Sequence, residues 1–262
     1  MPLPLLLLLL PAAQEPASPA AASDPQAEAL FQRVAAAQLA GGEPTAVEGF
    51  RVQLTLLERA ETRREIDLLL LYRQEGGHIR MSVTDSQRGA RVEKGFDGQR
   101  YWLRDENQVL QDLGAREFAR DRAALDDARK LCEELLLLMD LRRLREHARG
   151  LSLEDAAEDR RILRGRWDRN GAAWGFALQL APDLTAEALE LTPPPPKEGE
   201  AALPRQRYQL SAPTQFEDRR MPQVIEEFHD DEREYFVRRI EVHKLQWRRP
   251  PSPAELAAES PR

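Results

Sequence analysis

Two stretches of this chain alternate between apolar and polar residues, and a stretch of helical period separates them. In the first, Val52, Leu54 and Leu56 alternate with Arg51, Gln53 and Thr55. Ile66, Leu68, Leu70 and Tyr72 share one parity of the next run, and Ile79, Met81 and Val83 alternate with Arg80, Ser82 and Thr84. A period of two belongs to strands with one buried face. Glu75-Gly76-Gly77 and Asp97-Gly98 punctuate these runs, and Asp-Gly is a strong hairpin signal. Residues 101–103 and 108–110 add two short strands. The run 68–71 is apolar on both parities, which predicts a central strand covered on both sides. In the second stretch Leu163, Gly165 and Trp167 precede an Arg169-Asn170-Gly171 turn, and Trp174, Phe176, Leu178 and Leu180 alternate after it. Residues 188–191, 208–210, 224–228 and 235–247 complete the strands. In the last, Ile240 and Val242 have one parity and Leu245 and Trp247 the other, which predicts a bulge near His243-Lys244.

Helical spacing occurs twice. Asp24-Pro25 is an N-cap followed by proline in the first turn, Leu30 and Val34 continue the period, and Gly41-Gly42 ends it. Residues 115–147 form a longer block in which Leu125, Ala128, Leu131 or Cys132, Leu135, and Leu138 or Met139 recur at spacings of three and four. One straight helix of that length would run ~50 Å, more than the width of the sheet, so a break is expected near Asp140. The block is either one bent helix or two. Its apolar face must lie on the sheet. Together these elements predict an α+β, mainly antiparallel β protein with both β portions in one sheet. A single domain is expected over 24–249, with a signal peptide at 1–13, a Pro/Ala/Ser tether at 14–23 and a disordered tail at 250–262.

Residues 5–10 are an unbroken leucine run, Pro11 breaks it, and Ala12-Ala13-Gln14 suits cleavage. That is the pattern of a secretory signal, and the run is too short to span a bilayer. No Lys or Arg precedes Arg33, so either the true start lies upstream of Met1 or the signal is unusual. Export to the periplasm, without stable transmembrane insertion, is the expectation. Of 262 residues 42% are hydrophobic and 32% charged, and the net charge of −7 argues against nucleic acid as a partner. The lone Cys132 excludes an intramolecular disulfide and reads as a small buried residue on a helix face.

The catalytic signatures searched for are missing. No GxSxG, GxGxxG after a strand, GxxxxGK[ST] or HExxH occurs. His229-Asp230-Asp231-Glu232 reads as a solvated hairpin tip rather than a metal cluster. No catalytic residue, metal or cofactor is therefore expected, and the chain does not read as an enzyme. The four tryptophans all fall in or beside strands, where they either fill a core or line an acyl cavity.

Several segments resemble the outer-membrane lipoprotein carrier (LolA-like) family and its lipoprotein-sorting relatives. Gly77-His78-Ile79-Arg80-Met81 is similar to that family's G-x-x-R-apolar strand, and the segment from Gly95 to Leu103, GFDGQRYWL, to its aromatic hairpin. The end, MPQVIEEFHDDEREYFVRRIEVHKLQW, looks like the broader relatives, so the resemblance covers about residues 24–250. It implies an unclosed half-barrel with helices packed in its concave mouth, holding acyl chains of a lipid or lipoprotein between sheet and helices. Donor and acceptor proteins of the envelope would be further partners. The positions this implies for the cavity are Leu54, Leu56, Leu68, Leu70, Met81, Val83, Trp174, Phe176 and Leu178 from the sheet, with Leu135 and Met139 from the helical lid. A non-catalytic envelope adaptor on the same fold, with a filled core and no lipid cargo, is the alternative.

Overall fold

The structure, a computed structural model, describes residues 23–258 apart from 40–45, 59–63, 86–89, 115–117, 157–158, 170, 198, 200–201 and 231–233. The segments expected to be a signal peptide (1–13) and, but for residue 23, a tether (14–23), the Gly41-Gly42 stop and residues 259–262 lie outside the described residues. After helix α1 (Pro25–Gln38), a first meander comprises β1 (Gly49–Glu58), β2 (Arg64–Arg73), β3 (His78–Asp85), β4 (Ala90–Phe96), β5 (Tyr101–Arg104) and β6 (Leu110–Asp112). Helices α2 (Ala119–Met139) and α3 (Leu141–His147) follow. The second meander comprises β7 (Ala148–Asp155), β8 (Arg161–Arg169), β9 (Ala172–Leu180), β10 (Ala186–Thr192), β11 (Arg205–Phe216), β12 (Arg219–Asp230) and β13 (Glu234–Gln246).

The two meanders make one antiparallel sheet, ordered β6-β5-β4-β3-β2-β1-β13-β12-β11-β10-β9-β8-β7. Each hairpin pairs sequence neighbours, and the β1–β13 pairing joins the meanders. The free edges are β6 and β7, and α2 and α3 carry the chain from one to the other. This is an unclosed half-barrel with helices on its concave face, as expected. The bulge falls where the parity change placed it: Gln53 pairs with Lys244 but Leu54 with Val242, so His243 is the extra residue. Leu69 and Leu71 of β2 are only half-buried, so that strand is fully covered on its concave side alone.

The helical block is two helices, and the break at Asp140 has a cause. Its backbone is extended (φ −139°, ψ 78°), which interrupts the helical ladder and frees backbone groups in a buried place. Gln38, at the end of α1, satisfies both sides of the gap. Its amide donates to the carbonyl of Leu138 (2.5 Å) and accepts from the backbone N–H of Leu141 (3.0 Å). The buried Asp140 carboxylate accepts two hydrogen bonds from Arg142 (2.8 and 2.9 Å) and pairs with the buried Arg219, which also donates to the carbonyl of Met139.

The expected disordered tail is ordered as far as residue 258. Ser252 and Glu255 form a reciprocal capping box at α4 (Pro253–Leu256), and Leu256 and Ala258 are fully buried. A Pro/Ala/Glu composition suggests a solvated tail only when nothing receives it. Here the convex face of the sheet does, through side chains of three strands.

Candidate functional site

The strand register settles which parity faces the helices. Leu54, Leu68 and Val83 stand directly opposite one another across β1, β2 and β3, and Val52, Leu70 and Met81 form the next row. Leu56 faces Ile66 on one side and Ile240 on the other. In the second meander Leu178 lies between Leu163 and Leu189, Phe176 between Gly165 and Leu191, and Trp174 opposite Trp167. Leu135 and Met139 descend from α2, and Phe31 of α1 meets Phe176 with ring centroids 6.2 Å apart. All eleven residues expected at a cavity therefore share the concave side and one core. Nine are buried, while Val83 and Trp174 pack against the others partly exposed. None of the eleven lines an open cavity among the described residues.

The open space lies beside them. A cleft of about 940 Å³ lies between the α2–α3 pair and the sheet, lined mainly by the second meander and at one end by the β2–β3 turn of the first. Leu136, Leu137 and Leu138 of α2 and Leu189 and Leu191 of β10 give it an apolar wall, extended by Tyr72, Tyr208 and Trp167. Its volume is within the range of sites that bury a small-molecule ligand. The rim is charged with both signs, including Arg129, Glu133, Arg142, Arg143, Glu146 and Asp168.

Two polar constellations stand on this cleft. Arg169, at the end of β8, is held between the rings of Trp167 (5.7 Å) and Trp174 (5.3 Å). Such stacking fixes a guanidinium in place while leaving its N–H edge free to bind. The other constellation ties α2 to the sheet. Arg238 of β13 donates to Glu134 of α2 (2.6 Å) and pairs with Glu227 of β12 (2.5 Å). Glu227 in turn lies 2.7 Å from the ring of His229, which is within 3.4 Å of the Tyr235 hydroxyl. Burial pushes the Glu134 carboxyl up to about 7, with Arg238 pulling it down and Glu227 pushing it up. Burial also pushes the Tyr208 hydroxyl up, and nearby Glu134 and Glu227 add to that.

Sequence reasoning missed both constellations. Their members come from α2, β8, β9, β11, β12 and β13, and each reads singly as a polar residue in a strand or helix. The one usable signal was parity: Arg169 and Arg238 occupy the same alternation class as the apolar residues of their strands. His229 was read as part of a solvated tip, yet it belongs to β12 and its ring is bound to a buried carboxylate. Cys132 is fully buried on α2, and burial raises its thiol pKa. No group of three or more metal-ligating side chains occurs among the described residues, and none of the described helices is long and apolar enough to cross a membrane.

No family model matches this chain, and no curated protein matches it significantly. Solved structures do resemble it. A LolA superfamily protein from Nitrosomonas europaea is 11% identical, with a TM-score of 0.47 over 84% of this chain and 94% of its own. An outer membrane lipoprotein-sorting protein domain from Vibrio parahaemolyticus is 9% identical, with a TM-score of 0.45 over 87% and 95%. A DUF1329 family protein from Desulfovibrio piger is 11% identical, with a TM-score of 0.48 over 88% and 96%. The half-barrel described above rests on this chain's own strand order and register.

Proposed function

We propose that this chain is an exported, non-catalytic carrier that holds the acyl chain of a lipid or lipidated protein in the cleft between the concave sheet and α2–α3. The observation that carries this reading is the pairing of an apolar wall with a charged rim in one cleft of about 940 Å³. An acyl chain laid along Leu137, Leu189 and Leu191 gains ~0.8 kcal/mol per buried methylene group. The mixed rim, with Arg169 held out by two indoles, suits the polar head of an amphiphile and leaves the tail to the leucines. The eleven core residues lie one layer deeper. Those beneath α2 become cavity lining as it lifts from the sheet, leaving room for a longer chain against Leu70 and Met81, while Phe176 stays covered by Phe31 of α1.

Native mass spectrometry tests this on protein exported to a periplasm and purified gently. The carrier reading expects co-purifying phospholipid or acylated peptide, lost in Leu189→Gln with the melting transition retained. Lipid-free protein that also fails to bind a fluorescent fatty acid overturns it, and the adaptor alternative then takes its place.

A further inference from the structure

The convex face carries a second built surface, unrelated to the cleft. Register places Arg51, Leu71, Arg80, Gly95 and Trp102 side by side across β1 to β5. In the adjacent row Glu93 stands opposite Arg104. Glycine is required at 95, because a Cβ there would come within 2.4 Å of the Trp102 ring. The indole thereby settles against the β4 backbone, 1% exposed, with the Arg80 guanidinium 5.8 Å from its centre.

Residues 250–258 fill this groove much as a bound peptide would. Arg80 donates to the main-chain carbonyl of Glu255 (2.9 Å) and Arg104 to that of Ala258 (2.5 Å). Arg51 binds the Glu255 carboxylate (2.5 Å) and the carbonyl of Arg249. Glu255 gives the contact a charge requirement, and the buried Pro251, Leu256 and Ala258 give it an apolar one. With the strap lifted, Arg80 and Arg104 keep the buried carboxylate of Glu93, which also pairs with Arg91, while Arg51 loses the Glu255 carboxylate. The vacated groove is therefore cationic and lined by Trp102 and Leu71. The strap is held by side-chain contacts alone, three arginine–carbonyl hydrogen bonds, one half-exposed ion pair and the buried Leu256 and Ala258, whereas β13 before it is hydrogen-bonded along its backbone on both sides. Segments so attached open locally at far lower cost than the whole fold.

We propose that this convex groove is a peptide-binding site, closed in cis by residues 250–258, whose ligand is a short segment of a partner protein with a carboxylate directly before a leucine-sized side chain. Arginine–carboxylate recognition supplies the charge selectivity, and the buried leucine pocket supplies the apolar anchor. The strap sets the threshold, because a groove open only part of the time binds more weakly by the open fraction. The inference stands independently of the carrier reading.

The test uses the full chain and a fluorescein-labelled peptide of residues 249–260, followed by anisotropy. Leu256→Asp, which dislodges the strap, is expected to bind the peptide about tenfold or more tightly than the unsubstituted chain. Arg80→Gln in that background is expected to lose binding, as is a peptide carrying Glu255→Lys. Failure of the Leu256→Asp chain to bind while its melting transition is retained overturns the proposal, and so does equal binding by the unsubstituted chain. Should Leu256→Asp not fold, hydrogen exchange on the unsubstituted chain decides. Exchange at 254–258 about a hundredfold faster than in β13 supports a strap that opens alone, and equal exchange overturns it.

Discussion

The two faces of this sheet are built from the same strands on opposite principles. On the concave side, register stacks Leu54 on Leu68 on Val83 and Val52 on Leu70 on Met81, and a helix seals the rows by apolar contact. On the convex side the intervening residues are Arg51, Arg80, Ser82, Glu93 and Arg104, and their ion pairs are sealed by a strap of main-chain carbonyls. Apolar burial is non-directional and tolerates a change of partner, as a carrier requires. A buried ion cluster depends on every member being matched. One face is thus suited to variable acyl cargo and the other to a defined peptide.

The largest expected effect sharpens this contrast. Glu93→Ala leaves Arg80 and Arg104 without their common buried carboxylate, and such a break costs ~3–5 kcal/mol in equilibrium denaturation. Arg80→Met combined with Glu93→Leu removes the most buried arginine along with the carboxylate, leaves only Arg104 and the half-exposed Arg91 without it, and is expected to cost less than Glu93→Ala alone. Equal losses in the single and double variants would show that packing rather than charge holds the convex face. On the concave side Leu135→Ala is expected to cost ~2–5 kcal/mol through the cavity it leaves. That loss should be partly recovered by a fatty acid, because a ligand bound only to the folded state stabilises it.

Gln38→Ala comes next, at ~1–3 kcal/mol, because it strands the carbonyl of Leu138 and the N–H of Leu141 in a buried place. It should also loosen α2 against α3, read as faster amide exchange around Asp140. The smallest effect is on pH dependence. Glu134 titrates near 7 in the folded chain against an ordinary 4.5, so folding disfavours its charged form. Its contribution is fully present below pH 4.5 and is lost as pH rises towards and through 7. Glu134→Gln should remove that decline, giving a flatter stability profile between pH 5 and 8 than the unsubstituted chain. Parallel profiles would place the titration elsewhere.

The concave face was legible in the sequence because alternation is the direct consequence of one apolar-covered face. The joined meanders, the break at Asp140 and the bulge at His243 followed from period, length and parity, whereas the half-barrel came from the resemblance to the LolA-like family. Strand β4 was missed because Val92 is the one large apolar residue among Arg91, Glu93 and Lys94, too little to show an alternation. Its inward convex residue, Glu93, is buried by arginines and not by apolar neighbours. Strand β7 was missed because Gly150 and a register shift between Arg149 and Ser152 break its alternation. The strap carried a readable signal, Ser252-Pro253-Ala254-Glu255, which is the capping-box spacing, but composition alone outweighed it. The cleft was illegible because its wall and rim come from elements far apart in sequence, brought together only by the order of the strands.

The central claim is that the concave cleft, and not the convex face, receives an acyl chain. Methyl spectra of leucine-labelled protein titrated with a sixteen-carbon fatty acid test it most directly. The account predicts shifts at Leu136, Leu137, Leu189 and Leu191, spreading to Leu70 and Leu135 as α2 lifts, with Leu69, Leu71 and Leu256 unchanged. No shifts at saturation, or shifts confined to those three convex-face leucines, would contradict it.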